Sequence, residues 1–202
     1  MSITYRYADI SPEILPERFN APTLRRNKLA PLHTGDVTPD FSLPAAQVIN
    51  AAGLPEDIHG RSRPLVVAFI SFHWNGYAEK RMQELRDLHA DIQVMGGDLL
   101  VLSDEDSTFF NILANKQPVP FPVVWDRQHK IASQFGIYST TDPIWDRISG
   151  VNEDVPTPGI FVLNPNGKIV FDSIDLYFEK NIPVRDLLSA VYAAGHKTEK
   201  AA

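Results

Sequence analysis

Six apolar residues in a row, Leu65-Val66-Val67-Ala68-Phe69-Ile70, follow a proline at position 64. A run this short, with no polar alternation, suits a strand buried on both faces; a strand wetted on one side would carry a polar residue at every second position. Such a strand needs hydrogen-bonded neighbours on both edges and an apolar layer over each face. The next segment supplies one layer. Met82, Leu85, Leu88 and Ile92 recur at spacings of three and four, predicting a helix over about 76–94 that Gly96-Gly97 stops.

The alternation continues. Leu99-Leu100-Val101-Leu102 reads as a second strand. Asp106 or Ser107 then caps a helix carrying Phe109, Phe110, Ile112 and Leu113, which Pro118 and Pro120 end. Phe121-Pro122-Val123-Val124-Trp125 reads as a third strand, shortened by its proline. Ile131, Ala132 and Phe135 predict a short helix closed by Gly136, and Asp142-Pro143 opens a helical turn near Trp145. Ile160 to Leu163 and Lys168 to Phe171, joined by Asn164-Pro165-Asn166-Gly167, form a hairpin signal. Leu187, Leu188, Val191 and Tyr192 mark a last helix, expected to stop at Gly195. Upstream, Asp40 to Pro44 reads as a short edge strand and 50–63 as a loop.

The N-terminal part has a different character. Ser11-Pro12-Glu13 predicts a short helix near 11–19, and Arg25-Arg26-Asn27-Lys28 reads as a solvated basic stretch. The chain divides into an N-terminal extension (1–34), one domain (35–195) and a flexible tail (196–202). Helices alternating with parallel strands, followed by a hairpin and a helix, imply an α/β fold of three layers: a central mixed sheet with helices on both faces.

Composition narrows the chemistry. The formal net charge of −6 argues against nucleic acid or an anionic membrane as the main partner. No apolar run approaches the length of a membrane span, and the first residues lack a basic start followed by an apolar stretch, so the cytoplasm is the expected location. The 202 residues contain no cysteine. Disulfides, thiol nucleophiles, cysteine-ligated zinc and iron–sulfur clusters are thereby excluded. The six histidines form no H-x-x-H or H-E-x-x-H pattern, and no glycine-rich phosphate loop or G-x-S-x-G elbow is present. Neither a metal nor a cofactor is expected from these spacings.

Three segments carry a resemblance. Gly35 to Pro44 (GDVTPDFSLP) is similar to the opening of peroxiredoxins and related redoxins. Val66 to Leu85 (VVAFISFHWNGYAEKRMQEL) resembles the strand, active-site loop and helix of a redoxin branch that reads W-C-P-Y-C at this point. Residues 157–167 (TPGIFVLNPNG) resemble a later segment of the same family. The resemblance is to the peroxiredoxin-like redoxins, the alkyl hydroperoxide reductase C/thiol-specific antioxidant family, and it implies a thioredoxin-like fold over about 35–190. It also implies that the family's two cysteine positions are occupied here by Asn75 and Ala78, and that Phe72 stands where many members carry a hydroxyl residue. It makes Thr157-Pro158 the candidate for the cis-proline that faces the redox loop, an isomer that only about 5–6% of X-Pro bonds adopt.

The thiolate at a helix N-terminus is the family's reagent, and an asparagine amide cannot pass through its sulfenic acid or mixed-disulfide cycle. The resemblance therefore implies a pseudoenzyme: thiol peroxidase and disulfide-exchange activity are expected to be absent. The former active-site cleft would be kept for binding, by His73, Trp74, Asn75, Gly76, Tyr77, Thr157 and Pro158. Asn75 reads as the N-cap of the helix or as an amide donor to a ligand. Trp74 and Tyr77 pad the rim or wall the cleft. Glu79, Lys80 and Arg81 read as a solvated face, as does the acidic turn Asp104-Glu105-Asp106. A small oxyanion or carboxylate, or a protein partner's extended peptide, would suit the cleft better than a cation, and a homodimer is left open. Two further readings stand beside this one. The first is an enzyme of another, non-thiol class using His73, Asn75 or Tyr77; the second is a chain whose cysteines were replaced, which fits Ala78 but not Asn75.

Overall fold

The computed structural model describes residues 28–52, 54, 62–114 and 117–199. The helix expected near 11–19 and Arg25 to Asn27 of the basic stretch lie outside the described residues. Among the described residues a six-stranded sheet is built from β1 (Val48–Asn50), β2 (Leu65–Ile70), β3 (Asp98–Ser103), β4 (Val123–Trp125), β5 (Gly159–Leu163) and β6 (Ile169–Ile174), in the order β1-β4-β3-β2-β5-β6. β2 and β3 are parallel, as are β3 and β4, whereas β1, β5 and β6 pair antiparallel. Four α-helices among the described residues complete it: α1 (Tyr77–Val94), α2 (Ser107–Ala114), α3 (Lys130–Gln134) and α4 (Val184–Glu199).

The unbroken apolar run is indeed an interior strand with all six residues buried. Its side chains alternate between two cores, as the pleat requires. Val66, Ala68 and Ile70 pack with Met82, Leu85, Leu88 and Ile92 of α1, Phe110 of α2 and Leu187 and Val191 of α4. Leu65, Val67 and Phe69 pack on the other side with Phe41, Ile131 of α3, Phe135 and Phe161. There Phe135 is the hub, its ring 5.2 Å from Phe69 and 4.9 Å from Phe161. Each such fully buried side chain contributes roughly 1.5–3 kcal/mol relative to exposure.

The edge strand differs from expectation. Asp40 to Pro44 forms no strand; Phe41 is buried against Phe135, and the pairing strand is Val48–Asn50. Pro44 lacks the N–H that a ladder needs, whereas the Asn50 amide clamps the edge by donating to the Val119 and Phe121 carbonyls at 2.9 and 2.8 Å. The last helix runs through Gly195 to Glu199 rather than stopping. Gly195 does not take the left-handed conformation of a helix stop, unlike Gly136, which closes α3 at φ +70°. A Cβ at Gly136 would also strike the Ala30 carbonyl, so this glycine lets the arm at 30–32 lie across the domain. No helix among the described residues is long and apolar enough to cross a membrane.

Candidate functional site

β2 and β3 run parallel with Ile70 opposite Ser103, so the segments leaving their C-terminal ends, 71–77 and 104–106, emerge side by side. This end of a parallel sheet is where α/β folds gather ligands. Ser71 is extended, and its side chain accepts the His73 N–H at 3.2 Å, fixing one helical turn over Phe72–Trp74.

Asn75 and Gly76 follow, both left-handed at φ 47° and 60°. Asparagine tolerates that region better than most residues, and glycine occupies it without strain. Gly76, not Asn75, is the N-cap of α1. The Asn75 side-chain amide instead donates to the Gly150 carbonyl across the loop. The expected cap fails because two successive left-handed residues turn the Asn75 side chain away from the helix before the helix starts.

Trp74 is not the wall of an open cleft. It is 1% exposed, packs in the α1 core beside Ala78, and donates its indole N–H to the Pro156 carbonyl at 2.9 Å. Asn75 thus serves as a cross-loop tie and Ala78 as a buried methyl. Thr157 and Pro158 are buried as well. Thr157 receives the Arg147 guanidinium on Oγ1 at 3.0 Å, and the Pro158 carbonyl accepts the Asp175 N–H at 3.0 Å. No peptide bond among the described residues is cis, so the Thr157-Pro158 candidate is trans, leading directly into β5.

Tyr77 faces the end of β6. Its hydroxyl donates to Asp175 and accepts from Arg81, and its ring stacks on Phe178 at 4.6 Å. Arg81 also donates to Glu84 at 2.7 Å and to the Lys180 carbonyl at 2.6 Å, and lies 3.4 Å from Asp175. Glu79 and Lys80 are exposed as expected, but Arg81 is 7% exposed. The helix explains it: position 81 lies three residues after buried Ala78 and four before buried Leu85, on the core face. Asp175 carried no motif in the sequence. It accepts the N–H groups of Tyr177, Glu179 and Lys180. Burial pushes its carboxyl up, but the bonds from the Tyr77 hydroxyl and these N–H groups outweigh burial and hold it below the usual aspartate range. A cavity of about 20 Å³ lies among Arg81, Asp175, Pro158, Ser173 and Ile182. One water needs about 10–15 Å³ on this measure, so nothing much larger fits.

His73, Asn75 and Gly76 remain exposed. Behind His73 lies the acidic turn, of which only Asp106 behaves as expected, capping α2 through the Thr108 and Phe109 N–H groups. Glu105 is 8% exposed and accepts the Phe72 N–H at 2.9 Å, with its Oε1 3.7 Å from His73 Nε2. Asp104 has a buried Oδ1 with no hydrogen-bond partner. Burial, and after it the Glu105 carboxylate, push the Asp104 carboxyl up to about 7. Burial likewise raises Glu105. Folding brings one ligand atom each from His73, Asp104 and Glu105 within 4.8 Å of one another, a grouping that no sequence spacing displays. This side of the loop is lined by two carboxyl groups.

Residues 34–172 match the model of the AhpC/TSA family. No curated protein matches the chain by sequence. Solved structures share its fold at low identity. Mycobacterium tuberculosis AhpC is 15% identical, covering 81% of this chain and 93% of its own, with a TM-score of 0.60. Peroxidoxin BcpB of the same organism is 20% identical over 80% of this chain and 97% of its own, at 0.59. A putative thiol:disulfide interchange protein DsbE from Chlorobium tepidum is 16% identical over 81% and 98%, at 0.55. The fold is the thioredoxin-like one of peroxiredoxins.

Proposed function

This chain belongs to the AhpC/TSA family and has no cysteine, and from that we propose that it is a pseudoenzyme that carries out no thiol chemistry and binds through the loop at 71–77. The observation that carries this reading is the fate of the helix start. Where a thiolate would need unpaired N–H groups and an open approach, Asn75 is tied to Gly150 and buried Trp74 and Ala78 fill the space beneath. What is left for a partner is surface: His73, Asn75 and Gly76, beside half-buried Phe72 and the exposed Phe109. A small polar ligand, or a protein partner's segment laid across this surface, fits better than a substrate engulfed in a pocket.

The alternative, a non-thiol enzyme working through His73, Asn75 and Tyr77, has less support. Asn75 and Tyr77 are committed to different partners, the Gly150 carbonyl and Asp175 with Arg81, and the His73 ring lies apart from them, 3.7 Å from Glu105. A shared reacting atom would need at least two of these ties broken.

Peroxide consumption is the test. Purified full chain, treated with chelator and supplied with dithiothreitol or thioredoxin, is expected to consume neither hydrogen peroxide nor an organic hydroperoxide above the blank, and to leave insulin disulfides oxidised. Turnover that scales with protein and survives chelation would overturn the reading.

A further inference from the structure

The two carboxylates behind His73 are arranged unlike an ordinary acidic turn. Glu105 is buried, and its Oε1 is held by the Phe72 N–H, leaving carboxylate lone pairs toward His73. Asp104 has one buried oxygen, Oδ1, without a hydrogen-bond partner, while the Ser71 side chain lies close enough to the carboxyl to favour its charged form. Among the described ion pairs no lysine or arginine reaches either carboxylate; the imidazole of His73 is the basic side chain beside Glu105. Two adjacent carboxylates without a counter-charge repel one another.

We infer that His73, Asp104 and Glu105 bind one divalent transition-metal ion of the zinc and manganese class at the C-terminal ends of β2 and β3. The inference deepens the proposed binding role by naming a ligand for this loop, and it rests on the reading that the loop is a binding surface. Geometry carries it first: three donor atoms within 4.8 Å of one another can converge on a single ion. Chemistry selects the ion. One imidazole nitrogen with two carboxylates and no sulfur favours zinc or manganese over soft ions, and the nitrogen disfavours calcium and magnesium, which prefer all-oxygen sets. Support around the ligands is in place: the Phe72 N–H orients Glu105, and the Ser71 side chain, accepting the His73 N–H, fixes the turn that carries the imidazole. Access is provided by His73, whose side chain is 48% exposed. The ion would neutralise the pair of carboxylates. Three protein ligands leave the remaining coordination positions to water or to an acceptor group of a partner.

The experiment is calorimetric titration of zinc, then manganese, into chelator-treated full chain near neutral pH. Saturable binding of one ion per chain is expected. His73→Ala and Glu105→Gln should each weaken it by at least about tenfold, the scale seen even for outer-shell losses. His196→Gln, on the far helix, should leave it unchanged. His73 is exposed, so its variant is expected to fold, and far-ultraviolet circular dichroism checks each protein. No saturable binding, binding indifferent to His73→Ala and Glu105→Gln in folded variants, or calcium and magnesium binding as tightly as zinc would each overturn the inference. The peroxide assay is independent: absent zinc binding leaves the loss of thiol chemistry standing, and chelator-resistant turnover would refute that loss without touching the titration.

Discussion

Two polar clusters flank the same loop, and they are built on opposite principles. On the side of α1 and β6, Tyr77, Arg81 and Asp175 form a closed network in which the buried charges are opposite and the Asp175 carboxylate also accepts three backbone N–H groups. On the side of β2 and β3, Asp104 and Glu105 are like charges, one with an unsatisfied buried oxygen. A saturated buried network fixes structure, because every group in it already has its partner. An unsaturated one stores a demand that an external group can meet. The loop at 71–77 therefore has one face held by a saturated network and one face that borders an acceptor without a partner.

The largest effect should come from breaking the closed network. Asp175→Ala strips the acceptor from the Tyr77 hydroxyl and three backbone N–H groups, while Arg81 keeps Glu84, and urea unfolding should report a loss of about 1.5–3 kcal/mol. The pH dependence sharpens the point. The folded-state value of Asp175 is depressed, so its stabilisation is complete above the ordinary aspartate range and is lost as pH falls through the depressed value. Asp175→Asn should accordingly flatten the acid limb of the stability profile measured by denaturant titration.

Next in size is the loop tie. An N-cap asparagine tolerates replacement by aspartate, whereas a side chain that donates to a carbonyl does not. Asn75→Asp should therefore cost about 1 kcal/mol in thermal or urea unfolding, through loss of the bond to Gly150. Unchanged stability would restore the capping role. Lys80→Ala, on the solvated stretch of α1, should change stability by less than about 0.5 kcal/mol in the same assay.

The core was readable because apolar periodicity is local. Leu65 to Ile70 announces burial on both faces, Met82 to Ile92 announces one helical face, and Asn164 to Gly167 announces a hairpin. Edges and sites are decided by partners far along the chain. The choice of Val48 over Phe41 for the edge strand depends on where Val123 and Val124 lie. Arg81 could have been found, since helical spacing sets it on the core face with Ala78 and Leu85; its charge argued otherwise until Asp175, 94 residues away, was in view. Asn75 could not have been, because its left-handed conformation and its tie to Gly150 are fixed by the long loop before β5. The grouping of His73 with Asp104 and Glu105 follows from a parallel register, Ile70 opposite Ser103, that periodicity predicts only in outline.

The contrast between the two clusters is tested most directly by the stability of Asp104→Asn in chelator-treated protein near neutral pH, measured by urea unfolding beside Asp175→Ala. Removing a charge from the unsaturated cluster relieves repulsion, so the account predicts stability that is unchanged or raised by about 1 kcal/mol. A loss as large as that of Asp175→Ala would mean that the acidic pair is itself a structural network, and would contradict the account.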